Sequence, residues 1–169
     1  LTFAAPDGVH HLHLPVAGHP DEVVWSPDDV VLLTVKTQHT TAALEDLAAA
    51  AGHDVPVVCA QNGVANERMA LRRFARVYGM LVNLPAIHLR PGEVVTHAAG
   101  AGGILDTGRY PEGVDELVTE LMARLRAAGF SAEPDPKVMR KKYAKLLMNL
   151  GNIVQAATVS ATGEGEQAS

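Results

Sequence analysis

The sequence predicts an α/β layered fold built on a parallel sheet. Two observations carry that prediction. Val30–Val35 (VVLLTV), Val55–Ala60 (VPVVCA) and Val77–Leu84 (VYGMLVNL) are short apolar runs rich in β-branched residues. Runs of this kind suit parallel strands covered on both faces. Helical segments separate them, and strand, helix, strand, helix, strand with short links is the alternation of layered α/β domains.

Residues 1–29 hold short alternating pieces, HHLHLPV and DEVVW, without a helical period. They read as the edge of a sheet whose partners lie upstream or in another chain. Thr40–Ala51 is alanine-rich, carries Leu44 and Leu47, and ends near Gly52, so it reads as a helix. Asn66–Phe74 reads as a short helix with Met69, Leu71 and Phe74 apolar. From Ile87 to Tyr110 the period changes. GEVVTHAAG and GGILDTGRY read there as antiparallel strands joined through Gly100, Gly102 and Gly103, which permit tight turning.

Gly113–Ala128 is amphipathic, with Val114, Leu117, Leu121 and Leu125 on one side and Gly129 at its end. Phe130–Glu133 reads as one more strand. Pro134-Asp135-Pro136 then stops the chain, and Lys137 starts a long helix. Proline at the front of a helix loses nothing, because its missing N–H would have had no partner. This last helix is apolar around much of its circumference, so it needs a second domain or a partner subunit to pack against, a homodimer being one such arrangement.

The 169 residues fit one domain, or one domain and the opening of a second. A net charge of −5 argues against a general nucleic-acid binder. Cys59 is the single cysteine and sits in an apolar run, so it reads as core packing without a disulfide framework. No stretch approaches the roughly 18 apolar residues of a membrane span, and no secretory signal stands out. A cytoplasmic globular protein is the expectation. His10, His11 and His13 suggest a metal at first sight, but a strand would put His10 on the opposite face from the other two. No metal is expected. His88, His97 and Asp106 form no constellation, and no Ser-His-Asp set, HExxH or Walker A motif is present.

The most informative segment is KYAKLLMNLGNIVQAA in the last helix. Lys145, Asn149 and Asn152 stand at i, i+4 and i+7 and share one face. Leu146, Leu147, Met148, Leu150, Ile153 and Val154 surround them. Ammonium and amide groups are costly to bury without partners. A line of three beside so much apolar surface reads as a ligand site, and a cationic proton donor with two neutral amides suits a carbonyl or carboxylate. The alternative for Lys145 is a lysine whose charged end reaches water. Lys141 and Lys142 read as solvated charges.

Two polar loops follow buried strands. Ligands of open α/β sheets bind outside the carboxyl ends of the strands. VKTQ at 35–38 puts Lys36 there for a phosphate or ribose and Gln38 for a hydrogen bond. The alternative is an ordinary solvated lysine. QNGVANE at 61–67 presents the Asn62 amide, while Gly63 lets the backbone come close and Asn66 is placed to cap the next helix. Both loops would face one crevice.

VKTQ, QNGVANE and KYAKLLMN, in that order and spacing and with PGEVVTHAAGAGGILDTG between them, resemble the ketopantoate reductase (2-dehydropantoate 2-reductase) family. The resemblance covers Val30 to Ala156. It implies the C-terminal half of a Rossmann-type NADP-binding domain over residues 1–134, then the first long helix of an all-helical substrate and dimerisation domain over 135–169. It implies an NADPH-dependent reduction of 2-dehydropantoate to (R)-pantoate on the pantothenate and coenzyme A route. Lys36, Gln38 and Asn62 would lie in the cofactor and active-site cleft. Lys145 would be the general acid, and Asn149 and Asn152 would bind substrate.

The family's glycine-rich dinucleotide fingerprint is expected upstream of Leu1, and the rest of its helical domain downstream. Ala65 stands where family members carry glycine, and Ile153 where they carry a second asparagine. Asn152 is one residue earlier, a rotation of about 100° on an ideal helix. That offset keeps open a related reductase of another 2-keto acid. A binding module without activity is the non-enzymatic alternative.

Overall fold

The structure, a computed structural model, describes residues 1–97 and 102–162, with side chains as far as Gly151. The chain opens with a hairpin of β1 (Thr2–Ala5) and β2 (Gly8–His11), paired antiparallel. β3 (Val31–Leu33), helix α1 (Thr40–Ala51), β4 (Val57–Cys59), helix α2 (Asn66–Leu71) and β5 (Val77–Met80) follow. β3, β4 and β5 are neighbours and parallel, as the apolar runs predict. The observed strands are shorter than the runs, as the ladder pairs cover only Val31–Leu33, Val57–Cys59 and Val77–Met80.

Beyond β5 the chain forms β6 (Glu93–Val95), β7 (Thr107–Arg109), helix α3 (Glu116–Ala127) and helix α4 (Val138–Thr162). Three expectations are corrected here. β6 and β7 do not pair with each other: β6 runs parallel to β1, and β7 runs antiparallel to β5. Gly102 and Gly103 are described, whereas Gly100 lies outside the described residues. The N-terminal strands find their partner within the chain, in the sheet β2-β1-β6, rather than upstream or in another molecule. Local alternation identified strands but carried no information on their long-range partners. Phe130–Glu133 forms no strand of its own, only a bridge from Ser131 to Ile104.

The four-stranded sheet has the order β3-β4-β5-β7 and separates two apolar layers. Leu33, Val57, Cys59 and Val77 face one way, against Leu44 and Leu47 of α1 and Ala70 and Phe74. Val58, Tyr78 and Met80 face the other way, against Val118 and Met122 of α3. The alternation along β4 and β5 is the two-residue period of a strand with both faces covered. This is the Rossmann-like arrangement of a mixed sheet between helices. Asp115 caps α3 by accepting the Val118 N–H at 3.1 Å and also receives the Tyr78 hydroxyl at 2.8 Å. Among the described residues no helix is long and apolar enough to cross a membrane.

The start of α4 lies on a bed of glycine. Gly79 of β5 and Gly108 of β7 are register partners. A Cβ on Gly108 would stand 1.9 Å from the Asp135 carbonyl oxygen, and one on Gly79 would stand 3.2 Å from Met139 Sδ. With no side chain at either point, the backbone before α4 sinks onto the sheet and Val138 is fully buried. This sets the height at which the rest of the helix leaves the sheet.

Candidate active site

Three lysines on two consecutive turns of α4 grip the sheet from different sides. Lys141 reaches Asp106 Oδ2 at 2.7 Å and Asp135 Oδ2 at 3.0 Å. Its hydrogen bonds to those carboxylates hold the Lys141 ammonium above the ordinary lysine value. Lys142 turns inward: its Nζ donates to the Cys59 carbonyl at 3.2 Å, to the Gln61 carbonyl at 3.0 Å and to Glu67 Oε1. Neither lysine is the free solvated charge that its sequence suggested. Lys142 and Glu67 form a buried ion pair, with side chains 3% and 0% exposed.

Lys145, one turn on, donates to Asn62 Oδ1 at 2.9 Å and to the Val82 carbonyl. Lysine and asparagine, 83 positions apart in sequence, are thus in direct contact. Burial pushes the Lys145 ammonium below the ordinary lysine value, and the charge of Lys142 pushes it the same way. An ammonium has three donors. Among the described residues two are engaged, leaving one for the adjoining hollow, which Asn149, Leu146, Gln61 and Gly63 also line. The side chain of Asn152 lies outside the described residues.

The loop that presents Asn62 is held from behind. Gln61 is buried, and its Nε2 donates to the Thr40 hydroxyl at 2.9 Å and to the Val35 carbonyl at 2.5 Å. Asn66 is also buried: it accepts from Thr40 Oγ1 at 3.1 Å and donates to the Asn62 carbonyl at 3.2 Å. Asn66 therefore ties the loop to α1 and is not the helix cap that its position suggested; that place belongs to Ala65. Gly63 has φ +88°, a left-handed conformation that favours glycine. Ala65 has φ −101°, where alanine is unstrained, so the departure from the family's glycine leaves the backbone undisturbed.

Lys36 and Gln38 are exposed at the end of β3 and line a second hollow with Thr37. The two hollows share Gln61, Asn62 and Val82 as a common wall. The structure thus brings Lys36, Gln38, Asn62, Lys145 and Asn149 to one edge of the sheet, beyond the carboxyl ends of β3 and β4. A cation, an amide and a hydroxyl at parallel strand ends suit the sugar and amide groups of a dinucleotide. Gln61 Oε1 is buried without a hydrogen-bond partner among the described residues. Cys59 lies in the core, where burial pushes its thiol up to about 12, so it is a protonated packing group. Among the described residues no three His, Cys, Asp or Glu side chains converge as a metal site.

Gln61, Glu67 and Lys142 were not singled out by the sequence. A signal for Lys142 was present: it is three residues before Lys145, on the same helix face. Its neighbours Lys141 and Arg140 masked it as part of a charged run.

Comparisons with known proteins agree. The family profile of ketopantoate reductase PanE/ApbA matches residues 2–112. A 2-dehydropantoate 2-reductase of Pyrococcus horikoshii is 31% identical over 121 residues, 72% of this chain and 39% of the relative. The crystal structure of 2-dehydropantoate 2-reductase from Geobacter metallireducens superposes with a TM-score of 0.75 at 27% identity, over 88% of this chain and 49% of that one. A PanE/ApbA family ketopantoate reductase from Ralstonia eutropha gives 0.73 at 25% identity, over 88% and 47%. The chain spans about half or less of the length of these relatives.

Proposed function

The chain belongs to the ketopantoate reductase family, and from that premise we propose that the intact protein reduces the 2-keto group of 2-dehydropantoate to give (R)-pantoate, with NADPH as reductant. The observation that carries the reading is the contact of Lys145 with Asn62 at a hollow beyond the strand ends. Residues 1–134 are read as part of the NADP-binding domain and 135–169 as the start of the helical domain. The open edge of β3, where Leu32 is exposed, suits a further strand of the first domain.

When bound, NADPH would supply the hydride for C2 of the keto acid. Lys145 supplies the matching proton. As negative charge builds on the carbonyl oxygen, the ammonium stabilises it and releases one proton to it, leaving a neutral amine that solvent reprotonates. Asn62 and the Val82 carbonyl hold Nζ in place, so the proton needs little reorganisation to reach the oxygen. Asn149, one turn further, binds the substrate carboxylate or carbonyl, with Asn152 beyond it. Lys36 and Gln38 hold the cofactor on the other side of Asn62.

A second reading keeps the chemistry and changes the keto acid, because Asn152 is offset by one residue from the family's second asparagine. Steady-state oxidation of NADPH by the intact protein, with 2-dehydropantoate beside a panel of other 2-keto acids, separates the two. Highest kcat/KM with 2-dehydropantoate is the expected result. Highest kcat/KM with a different keto acid moves the specificity, and no oxidation with any member of the panel rejects the reductase.

A further inference from the structure

Lys142 and Glu67 remain outside the mechanism as described, yet they are the most deeply buried charges beside it. Burying two charges is expensive, and apolar side chains of similar volume often hold a core as well or better. Packing alone does not account for an ion pair at this point. Its connections do. Lys142 is on the same helix face as Lys145, one turn earlier. Besides Glu67 it holds the carbonyls of Cys59, the last residue of β4, and Gln61, the residue before Asn62. Two lysines of one helix thus grip one loop, Lys142 by its main chain and Lys145 by the Asn62 side chain.

We infer that Lys142, held by Glu67, is a positioning residue for the reduction: it locks the Asn62 loop to α4 so that the Lys145 ammonium stands at the hollow. The inference rests on the reading of Lys145 as the proton donor. Lys142 acts through Lys145 in a second way, by charge, since it adds to the burial that keeps that ammonium below its ordinary value. The groups that bear on Lys145 are few. Glu67, on α2, is paired with Lys142, while Asn62 and Val82 offer neutral oxygens. Lys141, Asp106 and Asp135 are paired with one another.

The test uses the intact protein with Lys142→Met and Glu67→Leu made together, so that no buried charge is left alone. Glu67→Gln, which keeps shape and volume, serves as a second variant, and Lys145→Ala as the reference. In the double variant the melting temperature is expected to stay near wild type, while kcat with 2-dehydropantoate falls on the order of 10²-fold, the usual cost of a displaced catalytic group. KM for NADPH should not change. The basic limb of the kcat–pH profile should move to higher pH, because a nearby cation has gone; the unchanged melting temperature separates this from a general loosening that would expose Lys145 and move the limb the same way. Glu67→Gln should lower kcat several-fold in the same sense. Wild-type kcat with an unmoved limb in the double variant, or wild-type kcat in Glu67→Gln, overturns the positioning role while leaving Lys145 as the acid. Wild-type turnover in Lys145→Ala overturns the proton-donor reading and the positioning role with it.

Discussion

Lys145 carries its charge in a half-buried place, so its protonation is the sensitive quantity at the residue scale. As the proposed acid it must be charged when substrate is bound. Activity is therefore full below its folded-state value and lost as pH rises through it. Burial and Lys142 both lower that value, so the basic limb should lie below the 10.5 of an ordinary lysine. Asn62→Asp tests this with opposite sign. A carboxylate in place of the amide oxygen 2.9 Å away favours the charged ammonium. The basic limb of kcat/KM should then move to higher pH, and a limb at the same or lower pH would mean that Lys145 is not the titrating acid. The meeting of Lys145, Asn62 and Asn149 at one hollow was legible beforehand from helical spacing and from the place of Asn62 after a buried strand. Lys142 was not, because a lysine in a charged run defaults to solvent unless a partner such as Glu67 is known. That partner is 75 positions away.

The element that decides the site is α4, and what decides α4 is the paired bed of Gly79 and Gly108. Gly108→Ala would drive a Cβ to 1.9 Å from the Asp135 carbonyl, so the helix start must lift or the strand must shift. A loss of about 3 kcal/mol is expected, at the upper end of overpacking costs, read by denaturant unfolding. Reduced turnover should accompany it, because the displaced helix carries Lys145 away from Asn62. Unchanged stability would show that the bed does not set the helix. Helix α1 matched its sequence limits because alanine content and Gly52 mark both its body and its end. The glycine bed was hidden, since it depends on an antiparallel register between strands that are far apart in sequence. The same reason explains the mispairing of β6 and β7: a two-residue period identifies a strand and leaves its neighbour open.

At the scale of the molecule, two apolar surfaces stand uncovered. On α4, Leu147 is 68% exposed and Met148 74% exposed, on the far side from the buried Lys142. β3 ends the sheet with Leu32 exposed. Both fit a chain that spans about half or less of the relatives it matches, and both leave the cleft between Lys36 and Lys145 intact. The central claim is that Lys145 acts in the chemical step while the cofactor is held elsewhere, around Lys36 and Gln38. It is tested by Lys145→Ala in the intact protein, with turnover of 2-dehydropantoate measured beside NADPH binding by fluorescence. The account predicts a fall in kcat of about 10²–10⁴-fold with the Kd for NADPH unchanged. Turnover at the wild-type rate, or a loss confined to NADPH binding, would contradict it.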